Sequence, residues 1–498
     1  MKMDPVSDSY YDGSRIFKWI TDYTNISIDL INFTATQITA VLLAPLFRGV
    51  LHPKHTSQEV RHGVGLLVGL IMGYFAFGRQ AVHLAGLPAL CYLVLRTQDP
   101  HIFQSLVLAV SMFYLSCIHI HRQIYDYGSL TLDITGPLMV IVQKVTSLAY
   151  NLHDGITQEE GLTTTQKYYA IRKMPSTLEY FAYIFHFQVL MAGPVVFYRD
   201  YIDYINGDNF LKHTDLSGDN MQAKLMLEPS PTKCVIKKIS ASVLCALLFV
   251  TLVSSFPISK VKEDEFIERT SVVSQLCYLS IATLLIRFKY YHAWLLADAI
   301  CNLSGLGFNG YSSDGSPKWD LISNVDVFRF EFGTSLKETI EYWNKGTNVW
   351  LRMIVYDRCK NYRTLLTYAL SSFWHGFYPG YYLTFAGGAL FTFASRAVRH
   401  SVIRHSFQTS SAMKNLYDFI TMITTRLVVT YITFSFVVLE FWPSFRIYRN
   451  MYFSLHLLGV AALLVLPMFP AGTRRQPSPI KDQFTKVASN GLSVGIQG

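Results

Sequence analysis

Long stretches without a charged side chain recur along this sequence, separated by short polar segments. A helix needs about 20 mostly apolar residues to cross the roughly 30 Å hydrocarbon layer of a membrane. The stretches nearest to this length are residues 63–78, 80–95, 100–121, 180–198, 239–259, 270–286, 364–395 and 450–473, with shorter or interrupted ones at 36–47, 130–152 and 426–441. Because inserted backbone must satisfy its own hydrogen bonds, they predict about ten to twelve spanning or re-entrant helices. The stretch 364–395 is either one long helix or two that break at Pro379-Gly380.

Composition agrees with this pattern. Of the 498 residues, 51% are hydrophobic and only 15% are charged, against about 25% charged residues in a soluble protein. The mean hydropathy is +0.25. These values exclude a disordered, collagen-like or disulfide-scaffold protein. The sequence therefore predicts an all-α, polytopic membrane protein.

The polar segments suggest how the chain is organised. Residues 1–34 are predicted to form a polar or interfacial N-terminal segment, and residues 35–473 a single transmembrane domain. Two polar loops interrupt that domain, at 199–236 and 308–363. The second loop is aromatic and partly amphipathic but has no block long enough to span, so we consider it a candidate active-site cover or re-entrant segment. Residues 474–498 are predicted to be a disordered tail.

The formal charge of +9 does not indicate a nucleic-acid partner, because the basic residues lie between apolar stretches. Lys233, Lys237 and Lys238 precede one stretch, and Arg474 and Arg475 follow the last. This distribution is typical of cytosolic loops and predicts a cytosolic C-terminus.

His375 is the strongest candidate for chemistry, since it is an ionisable residue inside the longest charge-free stretch. Gly376 and Pro379 follow it and would loosen a helix there. Trp374 and Tyr378 are candidate substrate contacts that flank it. A neutral imidazole in these surroundings could accept a proton from a hydroxyl group. The alternative is a core histidine that is hydrogen-bonded to a neighbouring helix.

Asn344 is the second candidate, in a Tyr-Trp-Asn run of the second polar loop. Its carboxamide could orient a substrate or donate to an oxyanion. Trp343, Thr347 and Trp350 are candidate substrate-binding residues beside it. A helix cap or surface residue is the alternative interpretation of Asn344.

Arg287, Lys289 and His292 lie at the end of an apolar stretch and could contact a phosphate group. Snorkelling of these side chains to the membrane interface is the alternative interpretation, and for any one of them it is favoured. No metal site is predicted, because the cysteines form no Cys-x-x-Cys pair. Asn25 and Asn32 fit the glycosylation pattern, which is common by chance.

Several motifs occur together in one order along the chain. They are His186-Phe-Gln-x-x-Met-Ala-Gly-Pro194, Lys289-Tyr-Tyr-His-Ala-Trp294, Asn302-Leu-Ser-Gly305, Tyr342-Trp-Asn344, Phe373-Trp-His375-Gly-Phe-Tyr-Pro-Gly380 and Met451-Tyr-Phe-x-Leu-His456. This order resembles the membrane-bound O-acyltransferase (MBOAT) family, and within it the lysophosphatidylethanolamine and lysophosphatidylserine acyltransferases.

The resemblance implies catalytic roles for His375 and Asn344 and about eleven helices around a chamber. It further implies transfer of an acyl group from acyl-CoA, a co-substrate, to a lysophospholipid (lysophosphatidylethanolamine, lysophosphatidylserine or lysophosphatidylcholine) in the endoplasmic reticulum membrane. No cofactor is expected, and the oligomeric state stays open.

Four alternatives remain. A membrane-shaping or partner-binding role without catalysis is one of them, but it would not need both His375 and Asn344. A transporter would need charged residues along a midplane path, whereas the longest stretch offers one histidine. Sterol and diacylglycerol enzymes of the family would show Phe-Tyr-x-Asp-Trp-Trp-Asn, whereas this chain has Thr339-Ile-Glu-Tyr-Trp-Asn344. An enzyme that acylates a protein or peptide would need a lumenal opening for a polypeptide.

Overall fold

The structure, a computed structural model, describes residues 10–24, 26–129, 131–157, 161–191, 193–213, 228–401, 407 and 410–468. Regular structure in these ranges is helical, and the only β pairing there is an isolated bridge between Tyr311 and Pro317. Asn25 and the predicted tail 474–498 lie outside the described residues.

The long helices follow the charge-free stretches. They are Ile28–Gly49, Gln58–Phe77, Val82–Thr97, Phe103–Tyr125, Thr135–Thr157, Thr232–Leu252, Val272–Ser304, Pro379–His400 and Ser411–Val438. Shorter α-helices are Lys18–Thr24, Thr164–Tyr169, Thr177–Phe185, Tyr198–Asn206, Asp208–Leu211, Asp264–Arg269, Val327–Glu331, Leu336–Glu341, Lys345–Leu351, Arg363–His375, Phe441–Asn450 and Ser454–Val465. Three 3₁₀ turns, at Gly78–Ala81, Ile258–Lys262 and Leu466–Met468, and a π-helix at Arg352–Tyr356 complete the set.

Six helical segments of the described residues are long and apolar enough to cross a membrane. They are Ile28–Gly49, Gln58–Thr97, Phe103–Tyr125, Thr232–Leu252, Val272–Ser304 and Ser411–Val438. A seventh crossing is formed if the bent pair Phe441–Asn450 and Ser454–Met468 is one span. A polytopic, all-helical membrane protein is thus confirmed, whereas the count of about eleven spans is not.

The stretch 180–198, predicted to span or re-enter the membrane, does not form one spanning helix. Its helix, Thr177–Phe185, has only nine residues, and the described residues between it and the next helix, which begins at Tyr198, are not helical. Lys144 supplies hydrogen bonds to carbonyl groups at that helix end. Its buried side-chain nitrogen donates to the oxygens of Tyr183 and Ile184 at 3.1 and 2.9 Å. Two of the carbonyl groups that a helix end leaves without a partner are therefore satisfied inside the protein.

Two other segments differ in detail. The stretch 364–395 is two helices, since Arg363–His375 ends before Pro379–His400 begins. In the polar loop 308–363 the longest α-helix has seven residues, which agrees with the prediction that nothing there spans.

The described residues form two compact units. The first contains residues up to Ser242 together with Ala293–Asn324, and the second contains Val243–His292 and the residues from Val325 onward. The interior of the first unit includes an aromatic cluster of Phe210, Phe308 and Trp319. Nearby, Lys238 forms an ion pair with Asp298 at 2.7 Å.

In the second unit, helix Pro379–His400 packs closely on helix Ser411–Val438. The Gly380 amide donates to the Leu439 carbonyl at 2.8 Å, and a Cβ on Gly380 would lie 2.1 Å from the Ser435 carbonyl oxygen. Further along, the Thr384 hydroxyl donates to the Ile432 carbonyl at 2.9 Å. Small residues thus let the two backbones meet, as is common between membrane helices.

Candidate active site

His375 is the last residue of helix Arg363–His375. The helix stops there because Gly376 has φ of +113°, a conformation that side chains other than glycine rarely adopt. Pro379 then occupies the first turn of the next helix, where its missing N–H costs nothing. The imidazole therefore lies where the first helix ends and the chain turns into the second.

Aromatic rings surround the half-buried His375 imidazole. Phe385 stacks on it at a centroid distance of 5.1 Å, and Phe436 meets it edge-on at 5.0 Å. Tyr381 lies at 5.7 Å and also contacts Phe436 at 4.6 Å. These three rings come from the two closely packed helices, so the Gly380 contact also fixes the environment of His375. The sequence analysis did not identify these three residues, since only the packing brings them to the imidazole.

Asn344 lies in a tight turn between helices Leu336–Glu341 and Lys345–Leu351. Its backbone is left-handed, with φ +45° and ψ +55°, which asparagine tolerates better than most residues. Its Oδ1 accepts a hydrogen bond of 2.9 Å from the Thr347 hydroxyl. Asn348 pins the same turn, because its Nδ2 donates to the carbonyls of Ile340 and Trp343 at 2.7 and 2.8 Å.

The Thr347 bond is one contact that orients the Asn344 carboxamide. With Oδ1 directed at Thr347, the Nδ2 donors are on the opposite side of the group. An amide held in this way can donate to a carbonyl oxygen that becomes negatively charged.

The two candidate residues are connected through a pair of tryptophans. Trp350 is fully buried in the helix that Asn344 caps, and its ring lies 5.5 Å from that of Trp374, the neighbour of His375. The Trp374 ring is 4.6 Å from the imidazole. Trp350, Trp374 and His375 therefore form a row of ring contacts, and Asn344 and Thr347 precede Trp350 in the same short helical segment.

Two other predicted residues have different surroundings. Trp343 packs against Phe330, Tyr290 and Tyr291, with centroid distances of 4.9, 5.9 and 5.9 Å. Tyr378 lies 5.7 Å from Tyr381, at the edge of the rings around the imidazole.

The three predicted cations all lie on helix Val272–Ser304. Arg287 is engaged with a protein carboxylate, since it forms a bidentate ion pair with Glu331 at 2.7 and 3.0 Å. Lys289 and His292 are half-buried on the same helix. A role for any of the three in binding a substrate phosphate stays a prediction.

Glu331 and its second partner, Arg426, were not identified from the sequence. Arg426 is a charged residue at the start of an apolar stretch. Because burying a charge in a membrane costs free energy, its position could have marked it as a functional candidate. Among the described residues, no group of three or more His, Cys, Asp or Glu side chains could hold a metal ion.

Comparison with known proteins places this geometry in context. Residues 121–434, more than half of the chain, match MBOAT, the membrane-bound O-acyltransferase family. Lysophospholipid acyltransferase 6 of Drosophila melanogaster is 53% identical over 474 residues, which cover 94% of this chain and 66% of that protein. Membrane-bound glycerophospholipid O-acyltransferase 1 of Homo sapiens is 40% identical, over 96% of this chain and 97% of the human protein. Human membrane-bound glycerophospholipid O-acyltransferase 2 is 38% identical, over 92% and 88% of the respective chains. The chain belongs to the membrane-bound O-acyltransferase family.

Proposed function

We propose that this protein is a lysophospholipid acyltransferase that moves a fatty acyl group from acyl-CoA to the free glycerol hydroxyl of a lysophospholipid. The names of the three relatives support this class of reaction. The observation that supports the mechanism is the row of ring contacts from His375 through Trp374 to Trp350, which lies on the helix that begins at the Asn344 turn.

In the proposed reaction, His375 removes the proton from the glycerol hydroxyl. The oxygen attacks the thioester carbonyl, and the Nδ2 of Asn344 donates to the oxyanion that forms. The tetrahedral intermediate then breaks its C–S bond, and the proton passes from the imidazole to the sulfur of the departing coenzyme A. No acyl-enzyme is needed, because holding both substrates in one site supplies roughly 7 kcal/mol or more of the barrier reduction.

Several finer features belong to the same proposal. The acceptor is lysophosphatidylethanolamine, lysophosphatidylserine or lysophosphatidylcholine, and the enzyme resides in the endoplasmic reticulum membrane with a cytosolic C-terminus. About eleven crossings around a chamber would require helices beyond the apolar six, such as Thr135–Thr157 and Pro379–His400. Lys289 and His292 remain candidate contacts for a substrate phosphate.

The decisive experiment measures acyl transfer by the purified protein from labelled oleoyl-CoA to a panel of lysophospholipids, with a diacylglycerol and a peptide as competing acceptors. We expect a labelled diacyl phospholipid and stoichiometric release of coenzyme A. The His375→Ala variant should lose at least 100-fold in kcat, which general-base catalysis typically contributes. His101→Ala, at an exposed histidine, is the matched control and should keep the wild-type rate.

Two results would contradict the proposal. A His375→Ala variant that retains most of the wild-type rate would remove the general base. Transfer to diacylglycerol or peptide in preference to every lysophospholipid would assign the chain to another branch of the family.

A further inference from the structure

Glu331 lies at the centre of a charged cluster in the second unit. Arg287 binds its carboxylate in a bidentate manner, and the Tyr291 hydroxyl donates to the same carboxylate at 2.6 Å. Arg426, from helix Ser411–Val438, donates to Oε2 at 3.2 Å. We call these four residues, Arg287, Tyr291, Glu331 and Arg426, the Glu331 anchor.

The Glu331 anchor is largely withdrawn from solvent. The side chains of Arg287 and Glu331 are only 13% and 15% exposed. Burial alone would raise the pKa of Glu331, but the two arginines and Tyr291 outweigh burial and hold it below its ordinary value. Two guanidinium groups on one carboxylate make a rigid joint, because the planar donors of Arg287 match both carboxylate oxygens at once.

The Glu331 anchor contacts the segment that contains Asn344. Glu331 ends helix Val327–Glu331, and the ring of the preceding Phe330 packs on Trp343 at 4.9 Å. The guanidinium carbons of Arg287 and Arg426 lie 5.7 and 5.1 Å from the centre of the Phe330 ring. The cations therefore clamp the ring that supports the residue next to Asn344.

A second connection reaches the other side of the turn. Arg426 donates to the Thr339 hydroxyl at 2.9 Å, on helix Leu336–Glu341. The carbonyl of Ile340, the next residue, accepts from both the Trp343 amide and the Asn348 side chain. Contacts from the Glu331 anchor thus reach the turn both through Phe330 and through Thr339.

The turn needs such external support. The three helices around it have five, six and seven residues, and helices this short do not form alone in water. Asn344 is also left-handed, a conformation that persists where surrounding structure enforces it.

We propose that Glu331 is a positioning residue for acyl transfer, which holds the Trp343–Asn344 turn in register through Phe330 and Thr339. The proposal rests on the proposed function of Asn344. Glu331 itself does not contact the reacting atoms. Its effect is on the placement of the amide donor, where a 1 Å error costs about 100-fold in rate.

The test uses the purified full-length protein and two variants of the anchor. Glu331→Gln keeps the shape but removes the charge, and we expect kcat to fall by roughly 10- to 100-fold while the KM for oleoyl-CoA changes less than threefold. Glu331→Asp keeps the charge on a shorter side chain and should lose less. Glu341→Gln is the matched control, because Glu341 is an exposed partner of Lys337 on the neighbouring helix, and it should keep wild-type kinetics.

A double-mutant cycle separates positioning from general stability. If Glu331 acts through Asn344, then Glu331→Gln should cause almost no further loss of kcat in an Asn344→Ala background. Losses that multiply in the double variant would overturn the proposal.

Hydrogen exchange of residues 340–349 gives a readout that does not depend on activity. Glu331→Gln should speed exchange in this segment and leave the helix Arg363–His375 unchanged. Unchanged exchange in the turn would also overturn the proposal, as would faster exchange with a wild-type kcat. If the wild-type protein transfers no acyl group, the proposed function fails, while the exchange data still decide whether Glu331 holds the turn.

Discussion

The hydrogen bond between Thr347 and Asn344 permits a sharp test of how the amide donor is oriented. Thr347 is 7% exposed, and its hydroxyl lies 2.9 Å from the Asn344 Oδ1. Thr347→Val keeps the shape of the side chain and removes only the hydroxyl. The carboxamide of Asn344 then loses the hydrogen bond that its oxygen accepts from Thr347.

The size of the effect follows from that single bond. A neutral hydrogen bond contributes about 0.5–1.5 kcal/mol, and a buried acceptor left without its donor costs about 1–3 kcal/mol. Asn344 is half-buried, so we take about 1.5 kcal/mol, which corresponds to roughly tenfold in kcat. The KM for oleoyl-CoA should change less than about twofold, since the amide acts mainly in the transition state.

The assay is steady-state acyl transfer with Thr347→Ser as the matched control. Serine keeps the hydroxyl but loses a buried methyl group, so it should lower the free energy of unfolding by about 1 kcal/mol and keep kcat. Valine should lower the free energy of unfolding by a similar amount, because the Asn344 oxygen loses its donor, but only valine should also lower kcat. A valine variant at the wild-type rate, or a serine variant as slow as valine, would refute the proposed orientation of Asn344.

Three further predictions concern other parts of the molecule. Burial raises the pKa of Asp200 to about 7, so the folded protein retains this proton where the unfolded chain releases it, and stability falls as the pH rises from about 4 to about 7. Asp200→Asn should remove that slope from melting temperatures measured between pH 4 and pH 8. Gly380→Ala should lower the free energy of unfolding by about 1–3 kcal/mol, because its Cβ would overlap the Ser435 carbonyl, whereas Gly136→Ala meets nothing within 4 Å and should be neutral in thermal denaturation. Asn32 is fully buried and donates two hydrogen bonds, so peptide mass spectrometry should find it without a glycan even when the protein is made in a glycosylating host.

Much of the helical pattern could be predicted from the sequence, because charge-free stretches report directly on membrane insertion. The stretch 239–259 corresponds to helix Thr232–Leu252, and 100–121 to Phe103–Tyr125. The sequence did not predict that the helix in the stretch 180–198 is short. The carbonyl groups at its end bind Lys144, which lies about 40 positions earlier in the chain. Apolar composition cannot reveal a distant side chain that caps backbone carbonyls inside the protein.

In the candidate site, too, local features could be predicted from the sequence and long-range contacts could not. The motifs identified His375 and Asn344, and their local backbone followed from Gly376 and the tolerance of asparagine for a left-handed turn. The sequence did not predict that Arg287 pairs with Glu331, since the two are 44 positions apart and only tertiary packing brings them together. The aromatic rings around the imidazole were missed for the same reason.

The close approach at Gly380 has a consequence for how substrates enter and leave. Turnover requires some part of the site to move, and a helix that already touches its neighbour backbone to backbone can neither slide nor rotate without a collision. The two helices that present Tyr381, Phe385 and Phe436 to the imidazole are therefore the stationary part of the site. We expect substrates to enter and leave through movement of elements other than these two helices.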